Sequence, residues 1–277
     1  MITNSSNNLQ CIEWPTERVL AFATTRLIPS KQQLSKHSAH LLSNSTNTEK
    51  FQAEFDAFNL GDHVGDCPHS VSRNRSLLLD YLPAMTKIQW LEQVHGNNVV
   101  VVEKHQNTPI VADAAITHSQ HIALAIMTAD CLPILLSNKD GSEIAAIHAG
   151  WRPLVANIIE RTILKMHCAA DDIFVWMGPC IGPQSFEVGQ EVKQAFCQMS
   201  VKFESAFQPV TFLNNGRTEV KFLANLQLIA ELKLLALGVT NITNIADCTY
   251  KHSRQYYSYR RDGKTGRMAS VICINRL

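Results

Sequence analysis

The chain has almost no net charge: 25 Lys and Arg face 24 Asp and Glu, for a formal charge of +1. Without a basic field or an acidic tail it offers no broad attraction for nucleic acid. No apolar run reaches the length of a membrane span, so no membrane association is expected. Met1 to Leu9 is polar and Asn/Ser-rich, and lacks the basic and apolar regions of a signal peptide. The eight cysteines, at 11, 67, 131, 168, 180, 197, 248 and 273, include no CxxC pair and no compact spacing. That pattern argues against a secreted disulfide framework and for reduced thiols in the cytoplasm. Among eleven histidines there is no His-x-His, the paired motif from which a trinuclear copper cluster is mainly built. Internal repeats are missing too.

What is present is an ordinary globular composition, 45% hydrophobic and 18% charged over 277 residues, enough chain for a substantial core. Strands are predicted at 18–25, 87–93, 99–103, 122–128, 134–136, 144–148, 172–176, 241–246 and 268–274 from β-branched and apolar content. Helices are predicted over 70–81, from 154 to 166, over 187–198, and over 222–237 with Gly238 as the stop. Proline at 153 suits the first turn of the second helix. Residues 29–54 are polar and aperiodic, an expected insertion or loop. Strands and helices intersperse without a strict βαβ rhythm. The expected fold is therefore α+β (mixed α/β): a polar segment over 1–17, then one catalytic domain over 18–277 with mixed sheets flanked by helices.

Three phrases carry the chemistry. Glu92-Gln93-Val94-His95-Gly96, Thr128-Ala129-Asp130-Cys131-Leu132-Pro133 and Ile147-His148-Ala149-Gly150-Trp151-Arg152 each place one soft or borderline ligand where an apolar run ends and the chain turns. Two imidazoles and a thiolate satisfy three positions of a zinc ion and leave the fourth for water or substrate, the makeup of a catalytic site. We read His95, Cys131 and His148 as a mononuclear metal centre. Taken singly, each is more commonly a structural residue, and their spacing does not establish convergence. A single copper could be held by the same donors, but one copper does not assemble four-electron oxygen chemistry, so the residues argue against a polyphenol oxidase. His37/His40 and His118/His121 lie in polar, loop-like sequence and read as solvent-exposed.

With Gly178-Pro179-Cys180-Ile181-Gly182-Pro183 and Tyr257-Ser258-Tyr259-Arg260-Arg261-Asp262-Gly263 followed by Thr265-Gly266-Arg267, these phrases resemble, in order, the signatures of the YfiH-like laccase-domain family. That family is also called polyphenol oxidase-like, and its members have been described as zinc purine nucleoside phosphorylases. The resemblance runs from about Arg18 to the C-terminus. It implies zinc at His95, Cys131 and His148, and a small-molecule site for a purine nucleoside and phosphate. The implied activity is phosphorolysis of adenosine and inosine, with methylthioadenosine cleavage and adenosine deamination possible in the same site. Oligomeric state is not implied.

Phosphate needs cationic donors, and Arg26, Arg75, Arg152, Arg260, Arg261 and Arg267 stand in family-like contexts, the 257–267 segment foremost. Asp130, grouped with the catalytic set, and Asp113 in Ala112-Asp113-Ala114 are candidates for proton transfer or for anchoring a ligand histidine; as alternatives, each orders a turn. Gln93, Asn59 and His63 are weaker candidates for substrate contact. Four departures from the family pattern stand out: the 29–54 insertion replaces a short Gly-rich turn, Cys180 a small residue, Pro153 a glycine, and Asn225 an aspartate. Cys248 matches the family without a derivable role. Two other readings stay open: a cysteine–histidine hydrolase or amidase that edits cell-wall precursors, with Cys131 as nucleophile, and a metal-storage module.

Overall fold

The computed structural model describes residues 8–29, 53–214 and 217–275. Most of the expected polar insertion, including His37 and His40, lies outside the described residues. The chain begins with β1 (Leu9–Ile12), β2 (Val19–Thr24), α1 (Pro68–Leu79), β3 (Lys87–Gln89), β4 (Leu91–Glu92), β5 (Val99–Val101) and β6 (Ile110–Val111). Next come β7 (Ala114–Thr117), β8 (Ile122–Thr128), β9 (Leu132–Asn138), β10 (Ile144–Ala149), α2 (Trp151–Val155), α3 (Ile158–Ile163) and β11 (Ile173–Met177). The remainder is β12 (Glu187–Val188), α4 (Gln190–Cys197), β13 (Phe207–Asn214), β14 (Arg217–Ala224), α5 (Leu226–Ala236), β15 (Asn241–Asn244), α6 (Tyr259–Asp262) and β16 (Met268–Ile274). The architecture is α+β with several mixed sheets, as the sequence predicts.

Two sheets form the centre, one ordered β1-β2-β16-β8-β3 and the other β15-β11-β9-β10-β7-β5. Side chains alternate faces along a strand, so Ile122, Leu124 and Ile126 of β8 meet Leu135, Ile144 and Ala146 of the facing sheet. The opposite side of β8, Ala123 and Ala125, packs with Phe58, Leu60 and Leu78 of α1. On the far side of the six-stranded sheet, Ala145 and Ile147 pack with Leu154, Ile158, Phe196 and Ile229 from the helical layer. Strands covered on both faces read as continuous apolar runs, which is why β8, β10 and β16 are legible in sequence. Each such fully buried Leu or Ile contributes about 1.5–3 kcal/mol relative to exposure.

Several elements differ from expectation. The predicted helix from 154 to 166 is two short helices, because Asn157 adopts a left-handed conformation (φ 62°) between them. Buried Lys233 of α5 holds that break, bonding Asn157 Oδ1 at 2.9 Å and Glu160 Oε1 at 2.7 Å. The predicted helix over 222–237 begins only after Asn225, since Phe222–Ala224 end β14 and pair with β13. Asn225 caps α5 by accepting the N–H of Leu228 at 3.1 Å, a role aspartate fills equally well. Glu187 and Val188 are likewise a strand, paired to Leu223 and Phe222, and helix follows from Gln190. Residues 9–12, within the polar N-terminal segment, form an edge strand on β2.

Candidate functional site

His95, Cys131 and His148 come together although the first and last stand 53 positions apart in the chain. Cys131 lies in the short crossing that carries the chain from β8 in one central sheet to β9 in the other. His148 is the penultimate residue of β10, whose register sets it opposite Pro133 and Ala149 opposite Leu132. That pairing places Gly150 beside Cys131, so close that a Cβ on Gly150 would stand 2.9 Å from Sγ. His95 follows β4 in a turn with φ 58°. Its Nε2 lies 3.9 Å from Cys131 Sγ, and its ring meets His148 edge-on at 4.7 Å between centroids. All three donor atoms fall within 4.8 Å of one another. Zinc–ligand bonds of 2.0–2.3 Å place neighbouring donors about 3.5 Å apart, so the set fits one ion with small side-chain adjustments.

Asp113 organises the centre. Its Oδ1 pairs with His148 Nδ1 at 2.8 Å and accepts the N–H of His95 at 2.9 Å. Its Oδ2 accepts the N–H groups of Gly96 at 2.7 Å and Val94 at 3.3 Å. One fully buried carboxylate therefore orients the His148 imidazole and clamps the left-handed turn that presents His95, an arrangement of the kind that supports histidines at metal sites. Gln93 adds a second clamp, exchanging two 2.8 Å bonds with the backbone of Met127.

The electrostatics follow from this packing. Burial would push the Cys131 thiol up, but the His148 and His95 imidazoles outweigh it and hold it down at about 6. For His148, burial acts downward and is outweighed by the Cys131 thiolate and the Asp113 carboxylate, which push it up to about 9. Burial likewise acts upward on Asp113, yet the bonds from His148, Gly96 and His95 hold it below the usual carboxylate range. Cys131 is thereby held as the thiolate a metal ion takes, while His148 would give up its proton on binding one.

Asp130, adjacent in sequence, also lines the cleft over these residues, and its carboxylate is taken up by the 249–260 segment. Its carboxylate accepts bonds from Thr249 Oγ1 (2.6 Å), Ser258 Oγ (3.0 Å) and the N–H of Arg260 (2.6 Å). Its backbone φ of 101° is a costly conformation, about 1–3 kcal/mol, sustained by these bonds. Asp130 thus anchors the 249–260 segment.

A cleft of about 730 Å³ opens over His95, Cys131 and His148, within the range of small-molecule sites. Of the six arginines singled out in sequence, Arg152, Arg260 and Arg267 line it, together with His63. The other three serve the framework. Arg261 reaches the carbonyls of Thr249, Tyr250 and Tyr256 and pairs with Asp262. Arg75 pairs with Asp62 and lies over Trp90. Arg26 bonds the carbonyls of Asp56 and Ser253. Asn59 supports the cleft indirectly, accepting the N–H of Arg267 at 2.8 Å. Apolar walls from Trp151, Ile181, Phe186, Leu226 and Tyr259 complete it. Phe186 and Leu226 had no signal of their own, because apolar residues beside a turn or a cap read as core. Cys248 accepts the N–H of Gly182 at 3.1 Å and so fastens the 178–183 turn above the cleft.

The family model described as "Multi-copper polyphenol oxidoreductase laccase" matches residues 43–275. A purine nucleoside phosphorylase of Pseudomonas aeruginosa is 42% identical over 223 residues, 80% of this chain and 88% of that protein. The purine nucleoside phosphorylase YfiH of Escherichia coli is 41% identical over 220 residues, 79% and 87% of the two chains. A Neisseria meningitidis crystal structure superposes with a TM-score of 0.81 at 34% identity, covering 97% of this chain and all of the other. The chain belongs to the YfiH-like laccase-domain family.

Proposed function

We propose that the cleft is the active site of a zinc-dependent purine nucleoside phosphorylase acting on adenosine and inosine. The observation that carries this reading is the joining, in one cleft, of the His95–Cys131–His148 donor set with three arginines and an apolar wall. The names of the relatives support it. His95, Cys131 and His148 would hold the ion, which when bound supplies a Lewis acid that polarises a substrate atom. Zinc suits a mononuclear centre of one thiolate and two imidazoles.

In phosphorolysis a phosphate oxygen bonds to ribose C1′ while the glycosidic C–N bond breaks and its electron pair leaves with the base. Arg152, Arg260 and Arg267 would hold the phosphate dianion and offset its charge as it approaches the electron-poor sugar. Phe186, Leu226 and Tyr259 would cover the apolar faces of the nucleoside and exclude water, favouring phosphate over hydrolysis. Asp113 keeps His148 in the tautomer that directs Nε2 at the ion. The eight free cysteines fit a cytoplasmic setting, and among the described residues no helix is long and apolar enough to cross a membrane.

The test is base release from inosine by metal-analysed protein, with and without phosphate, beside Cys131→Ala. Phosphate-dependent hypoxanthine release that disappears in the variant supports the reading. Phosphate-independent base release, ammonia release from adenosine alone, or no turnover by zinc-loaded protein overturns phosphorolysis as the main activity.

A further inference from the structure

A second cluster of metal-ligating side chains sits away from the cleft. His118 Nε2 lies 3.0 Å from Glu143 Oε1, His167 Nδ1 lies 3.2 Å from the same oxygen, and the two imidazole nitrogens are 3.3 Å apart. The three donors come from three places: the residue after β7, the residue before β10, and the loop that follows α3. Glu143 is only 2% exposed at its side chain, whereas His118 and His167 are 44% and 74% exposed. The carboxylate is fixed from behind, since both its oxygens accept the backbone N–H of His167, at 3.1 and 2.9 Å. A buried, preoriented anion with two imidazoles leaning over it towards solvent is a built half-shell with room for water on its open side.

The distances suit one ion. Metal–nitrogen and metal–oxygen bonds of 2.0–2.2 Å separate neighbouring donors by roughly 3.0–3.5 Å in octahedral or tetrahedral geometry, matching the three separations found here. Two imidazoles and one carboxylate suit a borderline first-row dication better than calcium or magnesium, which favour all-oxygen shells. We propose that His118, Glu143 and His167 form a second, surface-accessible site for a first-row transition dication such as Zn²⁺ or Ni²⁺.

Its place in the fold gives the site a consequence. β7 and β10 pair antiparallel with Ile144 opposite Thr117 and Ile147 opposite Ala114. Continued one step each way, that register sets Glu143 opposite His118 and His148 opposite Asp113. The strand pair therefore carries a carboxylate–imidazole couple at each end, about 17 Å apart at the usual rise per residue. An ion at the outer end would tie α3 to the strand pair that carries Asp113 and His148.

The test is equilibrium dialysis of chelator-treated full chain against micromolar Zn²⁺ with total-metal analysis, comparing wild type with the His118→Ala/His167→Ala double variant. The expected result is one equivalent fewer in the double variant, with Cys131 still shielded from alkylation by zinc. In wild type, Ni²⁺ should broaden the ring-proton NMR signals of His118 and His167 together. Equal stoichiometry in the two proteins, or Ni²⁺ that leaves both rings unbroadened, overturns the site. Neither readout depends on the activity proposed for the cleft.

Discussion

Asp113 and His148 face each other across β7 and β10 at 2.8 Å, and the same carboxylate holds the turn that presents His95. The positions of both imidazoles thus depend on a single buried side chain, contributed by the residue that precedes β7.

Replacement of that carboxylate is expected to disable the centre without removing any ligand. Asp113→Asn substitutes an N–H₂ for one accepting oxygen and leaves a buried backbone N–H unsatisfied, at about 1–3 kcal/mol. Zinc affinity should fall roughly 10–100-fold. Competition with a chromophoric chelator, alongside a thermal melt, measures both; unchanged affinity would show that Asp113 does not orient the ligands.

The metal-free protein should show an unusually reactive cysteine. Because the folded Cys131 thiol sits at about 6, iodoacetamide labelling should rise through pH 6 and be high at pH 7, and zinc should suppress it. The stability of the metal-free protein carries the same signature. The depressed Cys131 value means that stabilisation is lost as pH falls through about 6. The raised His148 value means that it is lost again as pH rises through about 9. Mass-spectrometric labelling and melts across that range test it; labelling that begins only near pH 9 would contradict the thiolate–imidazole pairing.

Gly150→Ala should damage the centre sterically. The new Cβ would meet Cys131 Sγ at 2.9 Å, costing about 1–3 kcal/mol of overpacking. A displaced ligand is expected to lower kcat on the order of 10–100-fold. Wild-type turnover with wild-type metal content would mean that the strand end relaxes freely.

The arginines should divide by readout. Arg152→Ala and Arg260→Ala each remove a cleft cation and should raise the phosphate KM about 10–100-fold, as loss of a charged hydrogen bond predicts; the melting temperature should change little for Arg152→Ala and fall modestly for Arg260→Ala, which also loses its bond to the Glu187 carbonyl. Arg261→Ala, which loses three backbone carbonyl partners, should instead destabilise by about 1–3 kcal/mol. Steady-state kinetics beside melts distinguish the two groups; identical profiles would remove the assignment.

The chain's own residues determined the strands buried on both faces, because unbroken runs such as Ile122–Thr128 and Ile144–Ala149 have no other stable use. They also determined the donor chemistry, since one thiol and two imidazoles at chain turns suit few ions, and the ordered motifs made the family legible. Tertiary structure decided the rest. The breaks in the predicted helices depend on Lys233 reaching Asn157 and on Phe222–Ala224 finding β13, distant partners that override local periodicity. The sorting of the arginines depends on which of them the fold brings to the cleft, something residue type alone does not reveal. Above all, the register of β7 with β10 set a carboxylate against an imidazole at both ends of the pair. Cross-strand neighbours are fixed by pairing and not by sequence separation, so two His–carboxylate clusters that look unrelated along the chain prove to be opposite ends of one structure.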